Sequence, residues 1–454
     1  MMNLGSAYAQ RIRGDRIENI EQAISIYENA LMVTTQQPIP AVWVGIMINL
    51  GLTYFRRIRG ERADNIEQAI EVYERILKVL SQQKMPIEWA NTMTNLGIAY
   101  KERIREERAD NIEKAIDVYE QVLMVRTRQA LPIDWANTIV NLANAYFNRV
   151  QGERSENIEK AIENYEKALT VVTHQRMPIE QAQILNNLAI SYKYRLRGER
   201  VKNIEKAIAA YQDSLAYFRT EFLTNECLRT ATNLGSLYSE QCNWESAVAA
   251  YTDALIAAKT LYQSCLLLDS KTAELEETDG LSRRAAYALA RTGKYRAAIE
   301  AVEQSRARGL SESLGRDRAN LDQLQQQNPN LYNRYKDLTR QIRNFEAIQR
   351  DRMISGDHHS ITPEAFRNTA INLNHQLAAM VEQIRQQPGY EPFLTLPTFE
   401  DVQKVTTHAR PLVYLLTIST GSLALIITPT GIEHLWLNNF TESMLHEILY
   451  GSTD

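Results

Sequence analysis

The sequence predicts a mainly α protein: an α-solenoid of stacked helix pairs, then a helical arm, then the start of an incomplete α/β domain. Three observations predict this. Asn-Leu-Gly or Asn-Leu-Ala begins at Asn3, Asn49, Asn95, Asn141, Asn187 and Asn233, always 46 residues apart, and a Tyr follows each Asn by five positions. Asn-Ile-Glu recurs at the same interval, at Asn19, Asn65, Asn111, Asn157 and Asn203. After residue 391 the chain turns to Val/Ile/Leu/Thr-rich runs broken at Thr420-Gly421 and at Pro429-Thr430-Gly431. A strict period of this length is the mark of stacked supersecondary units.

Each unit reads as two helices. The first opens at Pro40, Pro86, Pro132 or Pro178, since proline suits a helix's first turn, and runs to about Arg105 in the third unit. The second begins at the Asn of Asn-Ile-Glu, where Asn65 is a suitable N-cap and Glu67 a favourable first-turn acid. Ile66, Ala69, Ile70, Tyr73 and Leu77 then fall at helical spacing and form one apolar stripe. Gly51, Gly97, Ala143 and Ala189 in first helices, and Ala23, Ala69, Ala115, Ala161 and Ala207 in second helices, let the pairs approach closely. Of 22 tyrosines, 12 occupy the two recurring Tyr positions, which assigns them to packing beside those small residues. Between the helices, Arg16, Arg62, Arg108, Arg154 and Arg200 recur at one phase, ahead of the Asn-Ile-Glu columns. They are expected to pair with a Glu or a carbonyl of the adjoining unit. The slot Gly14, Gly60, Glu106, Gly152, Gly198 suits a left-handed residue where the chain leaves the first helix.

Bulk properties narrow the function. The chain has 454 residues, 44% hydrophobic, and a formal net charge of −4, enough for a full core and no pull toward nucleic acid. The longest apolar runs, such as Leu412–Ile418, are too short to span a bilayer, and no signal-peptide pattern opens the chain. The cysteines, Cys227, Cys242 and Cys265, lack metal or disulfide spacing, so a reducing cytoplasm, no cofactor and no metal are expected. The His358–His359 pair reads as a solvated loop.

At Leu50, Gly51, Tyr54, Ala69 and Tyr73 the pattern resembles the tetratricopeptide repeat family. The family period is about 34 residues. The sixth unit has the compact turn of that family, Asn233 to Ala247 being 14 positions, whereas Asn49 to Ala69 is 20. Six units occupy residues 1–260. The first lacks the Pro-to-Trp segment of its successors, which predicts an exposed apolar end and a candidate surface for self-association. Residues 261–310 read as linking helices with a degenerate seventh unit at 281–310. Residues 311–390 read as a helical hairpin arm, with Thr362 capping and Pro363 opening its second helix.

Residues 391–454 carry two or three strands and a helix at 440–451, too little for an independent domain. With the Glu-Gln-Ser-Arg-Ala-Arg-Gly run at 303–309, this order of parts resembles tetratricopeptide-linked CHAT proteins, which are bacterial and end in a caspase-like cysteine peptidase domain. The resemblance implies a chain that stops within that domain. It brings no catalytic residue here: no Cys follows Cys265, and neither His434 nor His446 precedes a Gly. The chain as given is therefore expected not to cleave peptide bonds; the alternative is a fragment of an active peptidase whose His/Cys dyad lies beyond residue 454.

The tetratricopeptide resemblance implies instead a scaffold that binds a protein or peptide in the groove lined by its first helices. The candidate contacts are Asn49, Asn95, Asn141, Asn187 and Asn233, with Arg56, Lys101, Asn144, Lys193 and Tyr194, and the rings Phe55 and Phe147 beside them. An amide both donates and accepts, as an extended backbone requires. The same asparagines alternatively brace neighbouring units. Neither membrane nor direct nucleic-acid contact is expected.

Overall fold

The computed structural model describes the chain apart from residues 12–15, 35–39, 221–223, 265–279, 306–320, 356–362, 392, 395–397 and 452–454. The His358–His359 loop, the Thr362 cap, Cys265 and the end of the 303–309 run lie outside the described residues. The chain forms two compact units, Met1–Tyr217 and a second beginning at Phe218.

In the first unit, first and second helices alternate as the period predicts: α1 (Met2–Gln10), α2 (Arg16–Thr34), α3 (Pro40–Phe55), α4 (Arg62–Leu77), α5 (Pro86–Lys101), α6 (Arg108–Leu123), α7 (Pro132–Asn148), α8 (Arg154–Leu169), α9 (Pro178–Lys193) and α10 (Arg200–Thr220). Proline opens α5, α7 and α9, and Glu88, Asp134 or Glu180 stands in each first turn. The second helices begin earlier than expected. Glu61, Glu107 and Glu153 take the N-cap position, so Asn65, Asn111 and Asn157 lie inside the helix rather than capping it, and the first-turn acids are Asp64, Asp110 and Glu156. The asparagines are buried and hold the preceding loop. Asn65 donates to the carbonyls of Arg59 at 3.0 Å and Arg57 at 3.2 Å, and Asn111, Asn157 and Asn203 make the equivalent bond at 2.8–2.9 Å. A buried loop carbonyl has to be paired, and this side chain supplies the donor.

The helix pairs close around the second-helix tyrosines. Tyr27, Tyr73, Tyr119, Tyr165 and Tyr211 are fully buried among Ile66, Ile70, Ile76 and their repeats. Such apolar side chains contribute about 1.5–3 kcal/mol each on burial. The rings lie where a Cβ would otherwise project: one added at Gly51 or Gly97 would stand 2.6 Å from Tyr73 or Tyr119. The first-helix tyrosines do different work. Tyr54, Tyr100, Tyr146 and Tyr192 reach back one unit to donate to Glu28, Glu74, Glu120 and Glu166. Burial and then the bond to Glu120 push the Tyr146 hydroxyl up to about 12.

A second cross-link joins the same neighbours. Arg57, Arg103, Arg149 and Arg195 each grip the carboxylate of Glu21, Glu67, Glu113 or Glu159 through both Nε and Nη2, at 2.6–2.8 Å. Four of the five arginines expected to bridge units act within their own unit instead. Arg16, Arg62, Arg154 and Arg200 donate to Ala9, Phe55, Phe147 and Lys193, carbonyls at the end of the preceding first helix. These carbonyls have no intrahelical partner, and an arginine seven residues on reaches them. Gly60, Gly152, Gly198 and Glu106 are left-handed, with φ of +82°, +77°, +80° and +63°. They sit in the connecting loop, past the helix end.

The second unit begins with α11 (Thr224–Glu240) and α12 (Trp244–Ser264), joined by the compact turn in which Cys242 is left-handed and Asn243 caps Ser246. Cys227, at the position held by Trp43, Trp89 and Trp135 in earlier units, is buried. A further helix pair follows at Leu281–Arg291 and 295–305, across a turn containing Gly293. Helices Pro329–Ser355 and Pro363–Arg385 pack against one another around Leu331, Tyr335, Leu338, Met380 and Ile384. Three antiparallel strands, β1 (Leu412–Ile418), β2 (Gly421–Thr428) and β3 (Gly431–Leu437), form one meander with Val413 opposite Ile426 and Leu425 opposite His434. Period-two alternation turns Tyr414, Leu416, Ile418, Leu423, Leu425 and Ile427 onto the helix pair at Ala286, Ala290 and Ile299. Val413, Leu415, Leu435 and Leu437 on the strands are exposed, and the last helix, Glu442–Tyr450, buries no residue.

Candidate binding face of the first-helix layer

In the first unit each first helix touches the next: α1 with α3, α3 with α5, α5 with α7, α7 with α9. The recurring asparagines project from this layer and are half-buried. They divide into two kinds. Asn49 donates to Ser6 Oγ at 3.3 Å, and Asn187 donates to Asn144 Oδ1 at 3.2 Å, so both brace adjacent units. Asn144 is committed to the same brace, since its Oδ1 also accepts the Tyr165 hydroxyl at 2.5 Å.

Asn95 and Asn141 have no such partner. The residue that would receive them is Leu52 or Ile98, at the position held by Ser6 and Asn144 in the braced pairs. Neither side chain makes a hydrogen bond within the described structure. The same substitution leaves the Tyr119 hydroxyl buried without a partner, and burial raises its pKa. A hydroxyl buried and unpaired as that of Tyr119 is rare in folded proteins. Asn233 is half-buried on α11, in the second unit.

The predicted charged and aromatic neighbours are placed as follows. Arg56 is exposed, and Lys101 is half-buried with its ammonium 3.0 Å from Glu102. Lys193 lies over the Tyr194 ring at 5.6 Å, and Tyr194, half exposed, packs against Phe147 with 6.2 Å between centroids. Phe55 lies under the Arg62 guanidinium at 4.6 Å.

One residue of this region escaped the sequence reading. Arg126, just past α6, is 7% exposed. Its Nη1 donates to Thr94 at 3.0 Å and Thr138 at 3.1 Å, and its Nη2 donates to Asn91. All three acceptors are neutral, and burial lowers its pKa. The signal was present: at the 46-residue interval the same column reads Thr34, Leu80, Arg126, Val172, Phe218, a cation where Leu80, Val172 and Phe218 are buried and apolar. Among the described residues no group of three or more His, Cys, Asp or Glu is placed to hold a metal. No described helix is long and apolar enough to cross a membrane.

Residues 43–79 and 89–123, the pairs α3–α4 and α5–α6, match the tetratricopeptide repeat family. No curated protein matches the chain. Among solved structures, BtubC (BKLC) from P. vanneervenii is similar at 19% identity and a TM-score of 0.39, over 55% of this chain and 91% of that one. A Podosopora anserina putative kinesin light chain with nearly identical TPR-like repeats is similar at 15% identity and a TM-score of 0.35, over 48% of this chain and 94% of that one. The apo form of RapI is similar at 13% identity and a TM-score of 0.42, over 81% of this chain and 82% of that one. Two of the chain's repeated helix pairs are thus tetratricopeptide repeats by direct match, and the helix pairs that follow them at the same period continue the array.

Proposed function

We propose that the chain is a protein-interaction scaffold whose first-helix layer takes an extended segment of a protein partner. The observation that carries this is the pair Asn95 and Asn141, on touching helices, half-buried and without hydrogen-bond partners. An amide kept so, where Asn49 and Asn187 are braced, suits a ligand backbone that needs both a donor and an acceptor. The test is partner capture by the full chain carrying Asn95→Ala and Asn141→Ala, set against Asn187→Ala. The paired change should lose the partner with little change in thermal stability, while Asn187→Ala should lower stability more. Undiminished capture by the double variant would overturn the assignment.

A second element of the proposal concerns the C-terminal sheet. The exposed Val413, Leu415, Leu435 and Leu437, and a last helix that buries nothing, support reading the sheet as part of a larger CHAT-like domain. On that reading the array regulates a caspase-like cysteine peptidase in a longer protein, and residues 1–454 cleave no peptide bond. Translation of the gene past Asp454 tests it. A His-Gly and a later strand-end Cys are expected, and a stop codon at that point counts against it. The apolar Leu4, 54% exposed on the nine-residue α1, supports self-association at this end. Sedimentation of a Leu4→Glu variant checks that: an unchanged oligomeric state removes the idea.

A further inference from the structure

The lengthened loop between first and second helices holds a side chain that packing within the chain leaves unused. An aliphatic residue recurs there at one phase: Ile58, Ile104, Val150 and Leu196, with Ile12 at the same phase outside the described residues. The four are 53%, 61%, 66% and 68% exposed. A single exposed aliphatic residue is ordinary. Here the character is kept in every lengthened loop while the two positions that follow vary, with Gln151 in a column of arginines and Glu106 in a column of glycines. The sixth unit, with its compact turn, has neither the loop nor the residue.

The backbone on both sides of each aliphatic residue is fixed. The arginine before it, Arg57, Arg103, Arg149 or Arg195, grips a glutamate of the preceding unit. The carbonyl of the residue after it accepts from the buried asparagine, at 3.0 Å for Arg59, 2.9 Å for Arg105 and 2.8 Å for Gln151 and Arg197. The left-handed residue comes next in all four loops. Four loops alike in conformation, on successive helix pairs of one compact unit, therefore present four apolar side chains in a row, one per pair. Their backbone is ordered before any contact is made, which lowers the entropy lost on binding.

A ligand that covers this row has to match the spacing of the helix pairs. A second copy of the chain has that spacing by construction, and a two-fold axis lays one row along the other whatever the spacing is. Size agrees. The loops at 56–61, 102–107, 149–153 and 194–199 present about 20 residues, and a specific interface takes about 20–30 on each side. Charge does not oppose the contact, since Arg59 and Arg105 are already paired with Glu18 and Asp64 of the preceding unit. We propose that the lengthened loops are a self-association surface, on which the aliphatic row of one copy packs against the same row of a second. The surface shares no residue with the asparagine face or with Leu4.

Sedimentation velocity of the full chain over a concentration series tests this. The native chain is expected to be a reversible dimer. Ile104→Asp with Val150→Asp should raise the dimer dissociation constant at least a hundredfold and leave the far-UV circular dichroism unchanged. Ile104→Ser with Val150→Ser is the milder pair should aspartate disturb the loops, and should weaken the dimer at least tenfold. Ile133→Asp, at a residue 51% exposed in the first turn of α7, controls for exposed aliphatic side chains in general and should leave the dimer intact. A native chain that is monomeric throughout overturns the inference. So does native-like dimerisation of both loop variants, or equal dissociation by Ile133→Asp. Dissociation by Leu4→Glu while the loop variants stay dimeric assigns the contact to the α1 end and rejects the loop row.

Discussion

Replacing Arg103 by Met removes one rung of the Arg–Glu ladder and retains most of the apolar stem. The native guanidinium holds Glu67 with two bonds, at 2.7 and 2.6 Å, across α4 and the end of α5. The two side chains are 13% and 22% exposed, so the pair is neither freely hydrated nor sealed. A hydrogen bond to a charged group contributes a net ~1.5–3 kcal/mol, and breaking a fully buried pair costs about 3–5 kcal/mol. Partial rehydration of Glu67 in the variant brings the expected loss to about 2 kcal/mol. A double-mutant cycle with Glu67→Gln isolates the pair, and its coupling should be ~1–2 kcal/mol. The pair Lys202–Glu199, 67% and 69% exposed, is the internal control and should couple by no more than about 0.5 kcal/mol. The assay is urea unfolding of the full chain, with amide exchange of α4 and α5 to localise the effect. In a repeat array the loss should concentrate at that junction, because stability is summed over neighbouring units. A coupling for Arg103–Glu67 no larger than that of the exposed control would refute the claim that this ladder holds the units in register.

Other outcomes follow from the same packing. Hydrogen bonding from Arg57 and Arg195 holds Glu21 and Glu159 below the ordinary value of 4.5. Their contribution is thus present above about 4.5 and is lost as pH falls through the depressed values; an Arg57→Met, Arg195→Met variant should show a shallower acid loss in its pH-dependent urea midpoints. Gly97→Val pushes branched carbons into the Tyr119 ring, whose nearest atoms stand 2.6 and 2.9 Å from a Cβ, and should cost about 1–3 kcal/mol by thermal melting. Gly97→Ala should cost less, since Ala143 fills the equivalent slot beside Tyr165. Asn111→Ala removes the 2.9 Å bond to the Arg105 carbonyl and should lower stability by about 1–2 kcal/mol, with faster amide exchange confined to residues 102–107.

The period of 46, read from Asn-Leu-Gly and Asn-Ile-Glu, determined the helix pairs, their order and the packing partners of the buried tyrosines. Helical periodicity and small-residue columns are local properties, repeated often enough to be unmistakable. The strands were legible as two or three, since Thr-Gly and Pro-Thr-Gly punctuate β-favouring runs, and the structure has three. The site was legible only in part. The asparagine column was visible, but nothing local divides Asn49 and Asn187 from Asn95 and Asn141. That division depends on the residue facing each one from the neighbouring unit, 43 positions earlier, where Ser6 and Asn144 accept a bond and Leu52 and Ile98 do not.

The arginines show the same boundary between the two sources. Sequence alone singled out one Arg column, Arg16 to Arg200, and expected it to bridge units; the column beginning at Arg57 went unremarked. Only the tertiary structure decided which one crosses between units and which closes its own helix. A guanidinium reaches several acceptors from one backbone position, and the distance to each is set by how the helices pack. Local composition determined that helices form and which faces are apolar. The packing of one unit on the next decided which polar groups are paired within the chain, as Asn49 and Asn187 are, and which, like Asn95 and Asn141, are not.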